Sequence, residues 1–377
     1  MEYYTTIGID VSDKKSKICK MTKVGAERRI DIETTCDTTK QGFSEVLARF
    51  EKGTAVVFET GTHCRWIKQL VEDLDLKPIV VNPAAIKLIT GSNTKNDKND
   101  ARTLARLALA DIELMRPVKL RDERYQLMLR YHEARNLLMQ TRNSMIVQVR
   151  CFAKSMGYRL PECSAERFHK LDKTSWPKEL ESLVWPVMQM VECNNLKISA
   201  YDKMIAELAQ EPEFKAMVDR AKEVFGVGMI GATVFVAAIG GDIDRFEHAR
   251  DIGPYFGMVP KTFQSGTSDP QLGMTKAGNE LVRTVFIECA NVVLKENSKD
   301  TDLKFKGMRI ASSGGKIAKK KAKVAIARGL MVQIAALLKH PDRKYVPLSE
   351  ESRVGLERLR IELEYRTMRK VMKKAVA

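Results

Sequence analysis

The first hundred residues alternate between two hydrophobic periods. In the segment TTIGIDV, apolar and polar positions alternate with period two, so a strand there turns Thr6, Gly8 and Asp10 to one face and Ile7, Ile9 and Val11 to the other. Val57 and Glu59 share one face of the next such run, TAVVFE, in the same way. This patterning predicts strands over 4–10, 17–23, 29–35, 54–59 and 78–81, and helices over 41–50, 63–74, 83–89 and 97–110. Three strands in succession, then a helix, then a strand–helix repeat imply a mixed sheet that opens with an antiparallel meander.

Beyond residue 120 the period changes to seven. Leu127, Tyr131, Ala134, Leu138, Thr141, Met145, Gln148 and Phe152 advance in steps of four and three, the spacing of a coiled-coil seam, with Arg124, Arg130, Arg135, Arg142, Arg150 and Lys154 on the flanks. A stretch bounded by Pro161 and Pro186 interrupts the pattern. It resumes through Val187, Val191, Asn194, Ile198, Tyr201, Ile205 and Leu208. Two such helices either pair within one chain or join subunits. From about residue 221 glycines punctuate the chain: FGVGMIG followed by ATVFVAAIG reads as a helix-hairpin-helix, whose turn at Gly226 and Gly228 brings backbone amides toward a phosphate.

Composition narrows the partners. The 377 residues carry 64 Lys and Arg against 48 Asp and Glu, a formal charge of +16, which favours a polyanion and nucleic acid first, through counterion release from phosphates. No run of about 18 apolar residues is present, and the N-terminus has no basic, apolar leader, so the expectation is a cytoplasmic protein without a membrane partner. The seven cysteines are odd in number and contain no CxxC pair, the pattern of reduced thiols.

Against that background four carboxylates stand out: Asp10 in GIDVS, Glu59 in VVFETG, and Asp97 and Asp100 in TKNDKNDAR. Taken singly, Asp10 is equally a strand-end acid, Glu59 a loop residue, and the aspartate pair a helix cap that complements the dipole. Together they sit on two strand ends and one helix start, with the helix stripe Leu104, Leu107 and Ala108 turning Asp97 and Asp100 toward the core. Carboxylates gathered at one edge need a compensating cation, and an all-oxygen donor set suits Mg2+ in a two-metal phosphoryl-transfer centre.

A second chemical region lies in the Gly- and Pro-rich segment GPYFGMVPKTFQSGTSDPQLGMTKAGNELVR. Ser265, followed by Gly266 and flanked by Lys261, Lys276 and Arg283, reads from its spacing either as a plain loop serine or as a nucleophile on a phosphate, with Ser268 nearly as plausible in that role. Lys319, Lys320 and Lys321, together with Lys316, Lys323 and Arg328, form a cationic patch before an apolar helix that serves either as a phosphate contact or as a solvated helix end.

The ordered set GIDVS, FETG, KNDKNDAR, FGVGMIGA, YFGMVPKTFQSG and MTKAGNELVR, from about residue 5 to about residue 338, resembles the DEDD transposases of bacterial insertion sequences related to the Piv DNA invertase, the bridge-RNA-guided recombinases. The resemblance implies that Asp10, Glu59, Asp97 and Asp100 hold Mg2+, and that Ser265 is a nucleophile forming a phosphoserine intermediate with DNA. It further implies a homo-oligomer, dimer or tetramer, that acts on donor and target DNA under the direction of a structured guide RNA.

The implied fold class is α/β plus α. An RNase H-like (RuvC-like) domain over 1–112 precedes a helical coiled-coil connector over 113–215; a small, mostly α-helical domain with the helix-hairpin-helix and serine loop occupies 216–340, and a charged helical tail 341–377. Three rival readings stand beside it. A RuvC-type structure-selective nuclease shares the carboxylates but hydrolyses with water and needs no serine. An actin-like kinase shares a GIDVS strand end but needs a second phosphate loop. A non-catalytic nucleic-acid scaffold needs none of the four acids.

Overall fold

The computed structural model describes residues 4–83, 86, 97–172, 174, 176–262 and 272–375. They form two compact units, Met1–Leu120 and Arg121–Ala377. The first contains the predicted mixed sheet, whose strands are β1 (Thr5–Asp10), β2 (Lys15–Val24), β3 (Glu27–Asp37), β4 (Ala55–Glu59) and β5 (Lys77–Val81) in the order β3-β2-β1-β4-β5. The meander β1-β2-β3 is antiparallel, while β4 and β5 join β1 in parallel. This arrangement is consistent with the RNase H-like expectation. Helices α1 (Lys40–Leu47), α2 (Cys64–Asp73) and α3 (Asp97–Ala110) form where the 3.6-residue pattern places them. The helix expected over 83–89 falls mostly outside the described residues.

Side-chain alternation sorts the sheet into two faces. Ile7, Ile9, Val56 and Phe58 bury one face against Phe43 and Leu47 of α1 and Ile67 and Val71 of α2. On the other face Ala55, Val57, Ile79 and Val81 pack on Leu104 and Ala108 of α3, and Cys19 and Met21 on Ala101, Ala105 and Leu109. The central strands, covered on both sides, read as apolar runs for that reason.

The second unit begins with two long helices, α4 (Glu123–Ser155) and α5 (Lys178–Leu208), which pair with each other within the chain. Arg135 Nε meets Asp202 at 2.6 Å and Arg142 Nη1 meets Asn195 at 2.9 Å, so residue numbers rise on one helix as they fall on the other and the pair is antiparallel. Of the stepping expected on α5, Val191, Asn194, Ile198, Ile205 and Leu208 are buried and Val187 and Tyr201 are half-buried. On α4 the seam lies one residue further along. Met128, His132, Arg142, Val149 and Ala153 are buried, whereas Thr141 and Gln148 are exposed and Leu127 keeps 38% of its surface. The shift arises because two polar residues occupy the seam with partners of their own, which hydrophobic stepping cannot register.

Pro186 also departs from expectation. It lies inside α5, which begins after Pro177, and Leu180, Val184 and Met188 on both sides of it bury into one cluster with Val149 and Phe168. Burial on both sides holds the helix across the missing N–H.

The core of the second unit surrounds α7 (Met229–Ile239), which follows α6 (Pro212–Lys222) through the FGVG turn. This helix is apolar on all sides and buried from Gly231 to Ile239, as such a helix must be. Phe235 stacks at 5.9 Å on Phe256, beside the single turn α8 (Ile252–Tyr255), and at 5.8 Å on Phe286 of α9 (Glu280–Val293). Gly226 sits at φ +92°, and a Cβ there would meet Val293 Cγ2 at 2.6 Å, so both the turn and the packing require glycine. Helix α10 (Asp302–Ala311) and the apolar second half of α11 (Gly315–Lys339) complete the core.

The charged tail packs on this unit. Ser349 caps onto Asp302 Oδ1 at 2.8 and 3.0 Å, Gly355 lies against the Phe305 ring, and Arg360 pairs with Asp300 at 2.7 Å, which docks α12 (Glu350–Ala375) along α10. No helix among the described residues is long and apolar enough to cross a membrane.

One buried titratable group links this core to pH. His132 is 2% exposed and its Nε2 lies 3.0 Å from Thr233 Oγ1; because that hydroxyl donates to Met229 O at 2.7 Å, the imidazole is the donor between them. Burial, reinforced by the Arg135 charge, pulls the His132 pKa down to about 3. The folded state therefore takes up this proton far less readily than the unfolded chain. Stability is intact above the unfolded value of about 6.5 and falls by up to roughly 1.4 kcal/mol per pH unit between there and the folded value. In urea titrations at pH 7 and pH 5, His132→Leu is expected to show a smaller acid-induced drop in midpoint than the unmodified protein.

Candidate active site

The pairing of β1 with β4 brings two of the acids to one place. Ile9 pairs with Phe58, and Asp10 and Glu59 follow as the last residues of these parallel neighbours, each half-buried. Parity puts both on the face that carries Gly8 and Val57, the face covered by α3. Each is delivered to the carboxyl end of a strand by the burial of the strand behind it.

Helix α3 is seated on that face by unusually close backbone contact. Thr6, fully buried, donates its hydroxyl to Ala105 O at 2.8 Å. A Cβ on Gly8 would stand 2.1 Å from Ala101 O and 2.6 Å from Ala105 N, so only glycine lets the helix lie this near. Moving forward from Thr6 to Gly8 on β1 corresponds to moving back from Ala105 to Ala101 on α3. Two strand residues advance ~6.7 Å and four helical residues ~6 Å. The same progression carries Asp10 to Asp97, the first residue of α3.

Asp100 behaves differently from the expectation. It belongs to the helix stripe of Leu104 and Ala108, yet it is exposed, because the first turn of α3 extends past the apolar part of the sheet that buries the later turns. The side chain of Asp97 lies outside the described residues. Among the described residues, no group of three or more His, Cys, Asp or Glu side chains is gathered closely enough to hold a metal ion. The donor set nonetheless consists of carboxylates, the chemistry that suits a hard divalent cation.

Two further groups stand near the acids: Lys17, which the sequence does not single out, and His63, which by its place after the Glu59 strand is either a substrate contact or a surface imidazole. Lys17 pairs with Asp10 across the β1–β2 ladder, which puts an ammonium on the same face as the carboxylate. His63, on the loop after Glu59, accepts from Trp66 Nε1 at 3.1 Å and faces Asp13 at 3.6 Å, on the loop after Asp10. The signal for this His–Asp pair was its position: both residues sit within four of an acid-bearing strand end.

In the second unit, Ser265, Gly266 and Ser268 lie outside the described residues, but the framework on either side is defined. Lys261 N donates to Gly273 O at 2.8 Å, Thr275 N to Val259 O at 3.0 Å and Lys276 N to Gly257 O at 3.2 Å, and Pro260 bridges to Met274 in antiparallel fashion. Residues 257–261 and 273–276 thus form a two-stranded stem that brackets the serine segment. Gly257 (φ +67°) and Gly278 (φ +70°) interlock at its base: a Cβ on either would stand 2.2–2.3 Å from backbone of the opposite segment. This contact joins the YFG and KAG motifs.

The predicted phosphate-binding residues divide by their present engagements. Arg283 Nη1 donates to Ala277 O at 2.6 Å, Gly278 O at 3.1 Å and Phe256 O at 3.3 Å, which makes that end of the guanidinium a clamp on the stem base. Lys276 occupies a left-handed conformation at φ +56° in the same turn. Gly228 caps α7 with an exposed backbone. Lys319, Lys320 and Lys321 are exposed on the first turns of α11, which has no acid in its first turn and opens at Gly314.

Comparison with known proteins gives a concordant picture. Residues 7–156 match the DEDD transposase domain of the IS110 type, and residues 218–304 match the transposase IS116/IS110/IS902 family. The chain is 28% identical over 291 residues to a putative transposase, y4qE, of Sinorhizobium fredii, covering 75% of this chain and 70% of that protein. It is 23% identical over 303 residues to the transposase for insertion sequence element IS1111A of Coxiella burnetii (79% and 80% covered). A transposase for insertion sequence element IS1328 of Yersinia enterocolitica is 22% identical over 241 residues, covering 64% and 71%. A DEDD domain of this kind implies use of a divalent metal.

The Gly8 contact is open to a direct test. Gly8→Ala is expected to push α3 from the sheet and lower stability by about 1–3 kcal/mol in chemical denaturation, at the scale of an overpacked core. Gly53→Ala, where a Cβ meets nothing within 4 Å but φ is +80°, provides a comparison in which only backbone strain acts.

Proposed function

The chain belongs to the IS110/IS116 insertion-sequence transposases, enzymes that act on DNA, and from that premise we propose that it cuts and rejoins DNA strands through a covalent phosphoserine intermediate. Asp10, Glu59, Asp97 and Asp100 form the carboxylate centre in this reading, and Ser265 supplies the nucleophile. The observation that carries it is the convergence of Asp10 and Glu59 at neighbouring strand ends beneath the first residue of α3.

In the first transfer the Ser265 oxygen forms a bond to phosphorus, the bond to one sugar oxygen breaks, and the departing oxygen takes up a proton. In the second, a sugar hydroxyl of the receiving strand attacks the same phosphorus, loses its proton and displaces the serine oxygen, which is protonated again. Two ester exchanges conserve the phosphodiester without an external energy source. Bound at the four carboxylates, Mg2+ would neutralise the charge that accumulates on the phosphoryl oxygens. The stem around residues 257–276 and the Arg283 clamp hold the serine segment at fixed ends, so that positioning is provided by the fold and not by the loop alone.

Sequence choice in this reading belongs to a structured non-coding RNA that pairs with donor and target, while the protein contacts backbone and shape through its excess of cations. Assembly into a dimer or tetramer completes the proposal. A plain RuvC-type nuclease would have no use for the second conserved domain type matched over 218–304.

Two variants examine the centre separately from binding. Asp10→Asn is expected to abolish recombination of a donor–target plasmid pair, by at least about a thousandfold, with nucleic-acid affinity changed less than about twofold. Ser265→Ala is expected to remove the protein–DNA adduct seen on denaturing gels. Rejoined product from the serine variant would point to Ser268 or to hydrolysis. Removal of divalent ions with a chelator should stop both cleavage and adduct formation, and magnesium should restore them.

A further inference from the structure

The second unit contains a cleft that the proposed chemistry does not use. It has a volume of about 730 Å³ and lies between the turn at Glu247–Arg250, the last turns of α11 and the segment His340–Ser349 that leads into α12. Most of the third wall belongs to a segment beyond both matched domains, so nothing in the family comparison accounts for it.

The lining combines two chemistries. Val332 and Ala336, one turn apart on α11, provide an apolar floor, and Tyr345 stands beside them with its hydroxyl held by Phe225 N at 3.1 Å. The rim is cationic. Lys339 donates to Phe246 O at 2.5 Å, but the side chains of Arg250, Arg343 and Lys344 are exposed and engage no acid or hydrogen-bond partner among the described residues. Of the two acids on the lining, Asp302 is occupied by Ser349 N and Oγ, and Glu247 stands on the rim at 3.9 Å from His248. On the α11 wall, Gln333 leaves Oε1 buried and without a donor.

Three unpaired cations around a concave apolar floor are costly to hold together unless an anion with an apolar part completes them. A duplex is too broad for a recess of this size, which falls in the range that encloses one small molecule or one extruded group. We propose that the cleft takes an unpaired nucleotide of a nucleic-acid strand, with the base on Val332 and Ala336 and the adjoining phosphates on Arg250, Arg343 and Lys344. The assignment rests on the reading of the chain as a DNA-handling transposase. It adds a single-strand site separate from the carboxylate and serine residues, for which base–surface contact is the usual source of affinity.

The test uses the full chain and a short labelled oligonucleotide, once as a single strand and once as a blunt duplex, with binding followed by anisotropy across a salt series. The triple variant Arg250→Gln/Arg343→Gln/Lys344→Gln alters exposed positions only. It is expected to weaken single-strand binding more than about tenfold and to reduce the slope of log affinity against log salt by about 2, from roughly 0.7 per phosphate contact. Duplex binding should change less than about twofold. Ala336→Phe, which fills the floor and leaves the rim charges in place, should weaken the single strand by about fivefold or more. A thermal melt shows whether the filled variant is folded.

Single-strand affinity that survives the triple variant overturns the proposal, as does an equal loss for strand and duplex. A nucleoside monophosphate that binds as tightly as the strand would make the cleft a small-molecule site and likewise overturn it. Because Asp10→Asn tests catalysis without touching the cleft, failure of the strand-exchange reading and failure of this site are read from different variants.

Discussion

The absence of one β-carbon sets how closely α3 lies on the first strand of the sheet. With hydrogen at Gly8, α3 descends onto β1 until its backbone is in contact with the strand, and the buried Thr6 hydroxyl fixes the register by bonding to Ala105 O. The apolar residues of α3 then cover Val57 and Ala55, and the first residue of the helix comes to the end of the strand that carries Asp10. Hydrophobic burial alone would hold the helix against the sheet. It would not decide the distance or the register, which the Gly8 and Thr6 contacts fix.

The second unit relies on a different device. Its centre, α7, has no polar face and is enclosed on all sides, so the surrounding helices are organised around it. The stem that brackets the serine segment is attached through the paired glycines 257 and 278 and through the Arg283 clamp. In both units, then, an apolar interior supplies fixed points for the polar groups at its edge.

Charge is distributed according to the same division. In the first unit Lys17 faces Asp10 across the ladder, and in the second unit exposed cations stand on the first turns of α11 and on the rim of the cleft. Exposed cations of this kind attract phosphates through counterion release.

Much of this was legible in the chain. Period-two alternation located all five strands to within two residues at each end and assigned Asp10 and Glu59 to definite faces, because strand parity is a local property that burial does not alter. The motif order pointed to the insertion-sequence transposases, and Val191, Asn194, Ile198, Ile205 and Leu208 of the stepping expected on α5 are buried, with Val187 and Tyr201 half-buried. What failed depended on partners remote in sequence. The α4 seam moved by one residue because His132 and Arg142 are buried with Thr233 and Asn195, pairings that no local hydrophobicity reveals. Pro186 stayed within a helix because residues on both sides of it share one cluster, and Asp100 came out exposed because the sheet ends before the helix does. The cleft, assembled from the turn at Glu247–Arg250 and the stretch Val332–Ser349, had no sequence signature at all. Residue types and periods settled which elements form and which way their side chains alternate; only the packing of those elements decided which polar groups are enclosed, at what distance they meet, and where an opening is left between them.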